Sequence, residues 1–137
     1  MAENIRLEVV TPEKQVVNDM AQIVMAPGSL GEFGVLSGHT PYMTSLKTGA
    51  IHYRDQNGKD QYVFVSGGFA ETLPDKVTVL AESAEKMEDI DPERAKMAME
   101  RAEKRLAQDR AKEQVDIDRA RAAVERAVVR IRIAGSH

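Results

Sequence analysis

Residues 90–106 read IDPERAKMAMERAEKRL, and residues 115–131 read VDIDRARAAVERAVVRI. The two stretches lie one 25-residue step apart. Eight of seventeen positions are identical, and three more exchange one aliphatic residue for another (Ile90/Val115, Met99/Val124, Leu106/Ile131). Each copy opens with an acid, Asp91 or Asp116, at an expected helix N-cap, where a carboxylate accepts from the unpaired amides of the first turn. Pro92 directly after Asp91 suits the first helical position, because its missing N–H has no partner there in any case. Ala95, Met99, Ala102 and Leu106 then recur every three or four residues. Ala120, Val124, Ala127 and Ile131 repeat the pattern, so each copy reads as a helix with one buried stripe. Two matched helices predict an antiparallel hairpin whose arms fit one another. An alanine-rich interface lets helices approach closely but buries little area, and at about 25 cal/mol per Å² it is weak. The connector Arg110-Ala111-Lys112-Glu113-Gln114 contains no Gly or Pro and consists of good helix formers. It can make an ordinary turn or fuse the helices into one rod, which is what a conformational switch requires.

Upstream the chain changes character. From Ala81 onward there is no aromatic residue, and Gly does not return until Gly135. Before that break the sequence reads as short strands with frequent turns. Ile5, Leu7 and Val9 alternate with Arg6 and Glu8, as in a half-buried strand. Val16-Val17 and Ile23-Val24-Met25 are two further candidates, closed by Pro27-Gly28. Residues 31–39, GEFGVLSGH, hold three glycines and read as an exposed turn flanking a very short strand. Ile51-His52-Tyr53-Arg54 and Gln61-Tyr62-Val63-Phe64-Val65 flank Asn57-Gly58, the signature of a hairpin with a type I′ turn. Phe69-Ala70-Glu71-Thr72-Leu73 and Val77-Thr78-Val79-Leu80 follow, on either side of Pro74-Asp75. Eight to ten short strands at this spacing predict a sandwich or barrel, with a largely aliphatic core because only three Phe, three Tyr and no Trp are present. The fold class expected is α+β: an all-β sandwich over residues 1–86, then a helical hairpin over residues 87–137.

Composition narrows the function. A chain of 137 residues suits one or two small domains. No apolar run approaches a membrane span, and no secretory leader is recognisable. The absence of cysteine removes disulfides, thiolate catalysis and the usual zinc sites. The net charge of −3 is unevenly spread: residues 1–90 hold 7 Lys+Arg against 13 Asp+Glu, and residues 91–137 hold 12 against 9. A basic tail on an acidic body can dock an acidic surface or hold an anion, and can equally be a solvated, salt-bridged helical face. Nucleic acid is a poor partner for an acidic chain whose basic part has no aromatic residue to stack a base.

The three histidines, His39, His52 and His137, have no second metal ligand at a suitable spacing. There is no triad order, no P-loop and no convergent polar set, so no catalytic residue is expected. The arginines are more informative. Arg119, Arg126 and Arg130, spaced by 7 and 4, fall within a narrow sector of one helix face at about 100° per residue. Arg126 and Arg130 at i, i+4 repel unless an anion or carboxylate lies between them. On the residues alone, a phosphate-bearing ligand and a plain Arg–Glu network are comparable readings.

Four stretches carry a resemblance: GEFGVLSGHTPYMTSLKTGAI at 31–51, SGGFAE at 66–71, DKVTVLAESAE at 75–85 and IDPERA at 90–95. They resemble the ε subunits of bacterial F-type ATP synthases, in the same order and over nearly the whole chain. The resemblance implies a ten-stranded β-sandwich at the foot of the rotor, against the γ subunit and the membrane c-ring, with Glu32 and His39 in that contact. It implies a hairpin that folds beside the sandwich or extends along γ toward the α and β subunits of the catalytic head, where it blocks ATP hydrolysis. It also implies ATP as a regulatory ligand, with no obligatory cofactor and no catalysis by the chain itself. The residues matching the family's ATP motif are Glu85, Ile90, Asp91, Arg94, Ala95, Arg126 and Arg130. The location implied is peripheral, on the cytoplasmic face of the bacterial inner membrane. A free-standing nucleotide-sensing adaptor, whose β domain serves some other partner, is the alternative.

Overall fold

The computed structural model describes residues 3–108 and 113–135. The chain divides into two compact units, Met1–Met87 and Glu88–His137.

Nine strands are described in the first unit: β1 (Ile5–Val10), β2 (Gln15–Gly28), β3 (Gly31–Val35), β4 (Tyr42–Ser45), β5 (Gly49–Asp55), β6 (Asp60–Ser66), β7 (Phe69–Leu73), β8 (Lys76–Leu80) and β9 (Ser83–Lys86). Their order is β4-β7-β8-β1-β2-β5-β6-β9, with β3 paired to β2. The β1–β8 pair is parallel and the remaining pairs are antiparallel.

The long strand β2 folds this sheet into a sandwich. Its first half pairs with β1, its second half with β3, and between them its other edge takes up β5. The candidate strands at Val16-Val17 and Ile23-Val24-Met25 are therefore one strand of 14 residues. The ladder with β5 slips between Ala21 and Ile23, so Gln22 is an extra residue. Before it Val17 and Ala21 are buried; after it Val24, Ala26 and Gly28 are. A one-residue bulge exchanges the two faces of a strand and bends it. The period-2 pattern is broken there, which is why one strand read as two.

The core follows the alternation expected. Ile5, Leu7 and Val9 of β1, Ile51 and Tyr53 of β5, Val63 and Val65 of β6, and Val77 and Val79 of β8 are buried in one cluster. The Tyr53 hydroxyl donates to the Asp19 carboxylate at 2.7 Å, so its polar end is satisfied. On β5 and β6 the paired His52 and Tyr62 stack, with ring centroids 4.4 Å apart.

The β5–β6 turn differs from expectation. The Gly58 amide donates to the Asp55 carbonyl at 3.0 Å. Gly58 has φ +82°, while no non-glycine residue among those described has positive φ. A type I′ turn needs positive φ at both central positions, so Asn57-Gly58 is not its centre. The turn is type I, with Gln56 and Asn57 central and Gly58 as the left-handed residue that follows. The Asp55 carboxylate accepts from the amides of Asn57 at 2.9 Å and Lys59 at 3.0 Å, and it holds the tighter path.

In the second unit, two helices, α1 (Pro92–Gln108) and α2 (Gln114–Gly135), form the hairpin. Asp91 is the N-cap of α1: its carboxylate accepts from the Arg94 amide at 3.1 Å, and its carbonyl from the Ala95 amide at 3.1 Å. Asp116 is not a cap. The helix begins at Gln114, two residues earlier, with the Ile117 amide donating to the Glu113 carbonyl at 3.3 Å. Ile117 stands where the first copy has Pro92, so nothing fixes the start at residue 117. A Gln114–Asp118 side-chain hydrogen bond of 2.9 Å spans the earlier turn.

The buried residues of the helices are Ala95 and Ala102 on α1, and Ala120, Ala127 and Ile133 on α2. The four alanines are equivalent positions of the repeat. Counting outward from the centre of the connection, Ala102 is level with Ala120 and Ala95 with Ala127. Met99, Val124 and Ile131 are half-buried, while Leu106, expected in the stripe, is exposed on the last turns of α1. Three connector residues expected to permit either turn or rod, Arg110, Ala111 and Lys112, lie outside the described residues, as does His137.

Candidate functional site

Two surfaces carry the residues singled out in the sequence. The first lies on the β unit. Glu32 is exposed on β3, a strand with one paired edge, where it faces Pro27 of β2. His39 follows in a turn that Gly38, at φ +85°, allows. The Gly38 amide donates to the Pro74 carbonyl at 2.7 Å, the His39 amide to the Leu36 carbonyl at 3.1 Å, and His39 Nδ1 meets the Thr40 carbonyl. The imidazole lies 6.5 Å from the Tyr42 ring, which meets Phe33 edge-on at 5.4 Å. Sequence reasoning missed the exposed apolar side chains of this segment. Leu30, 91% exposed, precedes β3; Leu36 follows it; Tyr42 and Met43 lie exposed on β4. The available signal was Leu30 itself, an apolar residue at a glycine-flanked turn tip.

The second surface is on the hairpin. Ile90, Asp91, Arg94 and Ala95 cluster at the start of α1. Arg126 and Arg130 lie toward the end of α2, and the antiparallel arrangement brings them to the same end of the hairpin, with Arg94 level between them. Ile90 and Ala95 are buried, Asp91 and Arg94 exposed, and Arg126 and Arg130 half-buried. Ion pairs among the described residues include His52–Asp60, Arg54–Asp60, Glu8–Lys76 and Glu93–Lys96, and these do not engage Arg94, Arg119 or Arg126. Glu85 is half-buried on β9, opposite Phe64, and belongs to the β unit. Chemically, three guanidinium groups and a helix start suit a phosphate, while one carboxylate beside them suits a hydroxyl or amino group. No group of His, Asp and Glu among the described residues could hold a metal ion, and no described helix is long and apolar enough to cross a membrane.

A β-sandwich followed by a helical hairpin defines a class, and comparison with known proteins defines it further. Residues 4–87 match the family model for the ATP synthase delta/epsilon chain β-sandwich domain, and residues 88–135 match that for its long α-helix domain. The ATP synthase epsilon chain of Desulfosudis oleivorans is 70% identical over 106 residues, covering 77% of this chain and 80% of that one. The epsilon chain of Nitratidesulfovibrio vulgaris is 53% identical over 136 residues, covering 99% of each. A chain in the cryo-EM structure of the Euglena gracilis mitochondrial ATP synthase OSCP/F1/c-ring shares the fold, with a TM-score of 0.80 at 22% identity, covering 100% of this chain and 84% of that chain. The chain belongs to the family of ATP synthase epsilon chains, non-catalytic subunits of the synthase complex.

Proposed function

We propose that this chain joins γ to the c-ring through its β unit, and that its hairpin is an ATP-responsive arm that limits ATP hydrolysis. The observation that carries the second half is the make-up of the hairpin seam. The buried side chains of the two helices are four alanines and Ile133. At about 0.8 kcal/mol per buried methyl-sized group and about 2 kcal/mol for the isoleucine, they supply about 5 kcal/mol. That is small beside the roughly 1–2 kcal/mol per residue needed to order a backbone. A hairpin held so weakly opens readily, and a ligand bound only to the closed form shifts the balance by mass action. Arg94, Arg126 and Arg130 take the phosphates of ATP, Asp91 accepts from the ribose or adenine, and Ile90 and Ala95 shape the wall. The opened arm then reaches the α and β subunits of the head.

The first half is supported by the exposed apolar residues Leu30, Leu36, Tyr42 and Met43 of the same segment, together with the assemblies in which the structural neighbours are found. One of these is the central stalk and c-ring of the Tetrahymena thermophila mitochondrial ATP synthase. On this reading the chain lies at the cytoplasmic face of a bacterial inner membrane, peripheral to it. The test is a pull-down with γ. Glu32→Lys and His39→Ala keep the fold, judged by circular dichroism, and reduce retention. Unchanged retention of both variants contradicts the contact and leaves the free-standing adaptor as the better reading.

A further inference from the structure

The hairpin repeat has a consequence at its other end. The row Arg119, Arg126 and Arg130 on α2 has an equivalent on α1 at the same spacings of 7 and 4: Arg94, Arg101 and Arg105. Two like helices packed antiparallel are related by a twofold axis normal to the plane of the pair. That axis carries each arginine row onto the other along the same side of the hairpin. Arg94 then stands level between Arg126 and Arg130, and Arg119 stands level between Arg101 and Arg105. The Asp91-x-x-Arg94-Ala95 frame recurs as Asp116-x-x-Arg119-Ala120. The structure forms a cleft of about 370 Å³ at this second position, lined by Arg105, Asp116, Arg119 and Ala120.

We propose that this cleft is a second anion site, which takes the phosphate groups of a nucleotide or of free polyphosphate. Helix electrostatics account for part of the cluster without a ligand: Arg105 lies in the last turn of α1 and Asp116 in the first turn of α2, where each complements the helix end. They do not account for Arg119. It sits in the second turn of α2, toward the positive end, exposed, and with no ion pair among the described residues. An anion held between Arg119 and Arg105 gives Arg119 the charge-assisted hydrogen bonds that the helix end does not. Arg101 and Arg105 are exposed where Arg126 and Arg130 are half-buried. Solvent screening is therefore stronger here, and this site is the weaker of the two.

The test uses the full chain and sodium pyrophosphate at constant ionic strength, read by amide and guanidinium NMR. Saturable shifts at residues 116–120 and at the Arg105 and Arg119 side chains are expected. Arg119→Ala weakens them at least about tenfold, the loss of one hydrogen bond to a charged group. Arg105→Gln does the same should the first variant lose helical signal. Arg126→Ala leaves these shifts intact while removing those at residues 91–95, so failure of the first site and failure of this one are separately visible. ATP binding tighter than pyrophosphate identifies a nucleotide as the source, and equal binding identifies free polyphosphate. Shifts that stay linear in concentration, or that persist in both Arg119→Ala and Arg105→Gln, overturn the proposal. So does binding of adenosine in place of pyrophosphate.

Discussion

At Asp55 one carboxylate closes the turn that joins β5 to β6. It accepts from the Lys59 amide, from Gln61 Nε2 at 3.1 Å and from the Asn57 amide. These bonds, the Lys59 amide foremost, hold its pKa below the ordinary value of 3.8. A carboxylate with a depressed folded pKa contributes stability above its unfolded pKa and loses it as pH falls through the folded one. Carbon-detected NMR of the full chain should therefore give a titration midpoint for Asp55 below 3.8, and Asp55→Asn should remove that part of the acid limb of stability. A midpoint at or above the ordinary value contradicts the turn geometry. Sequence reading located the turn from Asn57-Gly58. It could not supply the turn type, because that depends on the reach of the Asp55 side chain to three later groups. Gly68 makes the same point. At φ +107°, a Cβ there would lie 2.0 Å from the Leu80 carbonyl oxygen, a clash that only the β7–β8 pairing creates.

At the scale of the element, β2 and the two helices were legible to different degrees. The helices were clear, because a repeat fixes both their number and their buried face. The alanines predicted to be buried are buried. Their ends were less clear: Asp91 caps α1, but α2 starts before Asp116, since no proline anchors it. The continuity of β2 was hidden by Gln22, whose insertion turns one alternating pattern into two of opposite phase. The alanine seam yields a prediction. Ala102→Leu puts three extra carbons into a close helix contact, and overpacking of this kind costs about 1–3 kcal/mol. Hydrogen exchange should then quicken across residues 92–108 and 114–135 while the amides of β1, β5 and β8 keep their protection. Equal loss in both units contradicts the reading of the hairpin as a separate, weakly held element.

At the scale of the molecule, the two units have different means of stability. The β unit has its own aliphatic core, running from Ile5 to Ala84; the hairpin has an alanine seam. Residues 1–87 alone should fold cooperatively in urea and retain γ as the full chain does. An unfolded circular dichroism spectrum for that fragment contradicts this division. The same division explains what the sequence could carry about function. Glu32 and His39 sit in a recognisable glycine-rich block, yet the ring contacts that join Phe33, His39 and Tyr42 form only in the fold. The arginine rows of α1 and α2 share one spacing in the sequence; that they stand side by side required the antiparallel register.

Whether ATP closes the hairpin is decided by calorimetric titration of the full chain with ATP and ADP. Saturable binding of ATP is expected, with weaker binding of ADP, a raised melting temperature, and a loss of at least ~1.5 kcal/mol of binding on Arg126→Ala, the low end for a hydrogen bond to a charged group. Millimolar ATP that releases no heat and moves neither the melting curve nor the α2 NMR signals would contradict it, and would assign these arginines to the helix surface alone.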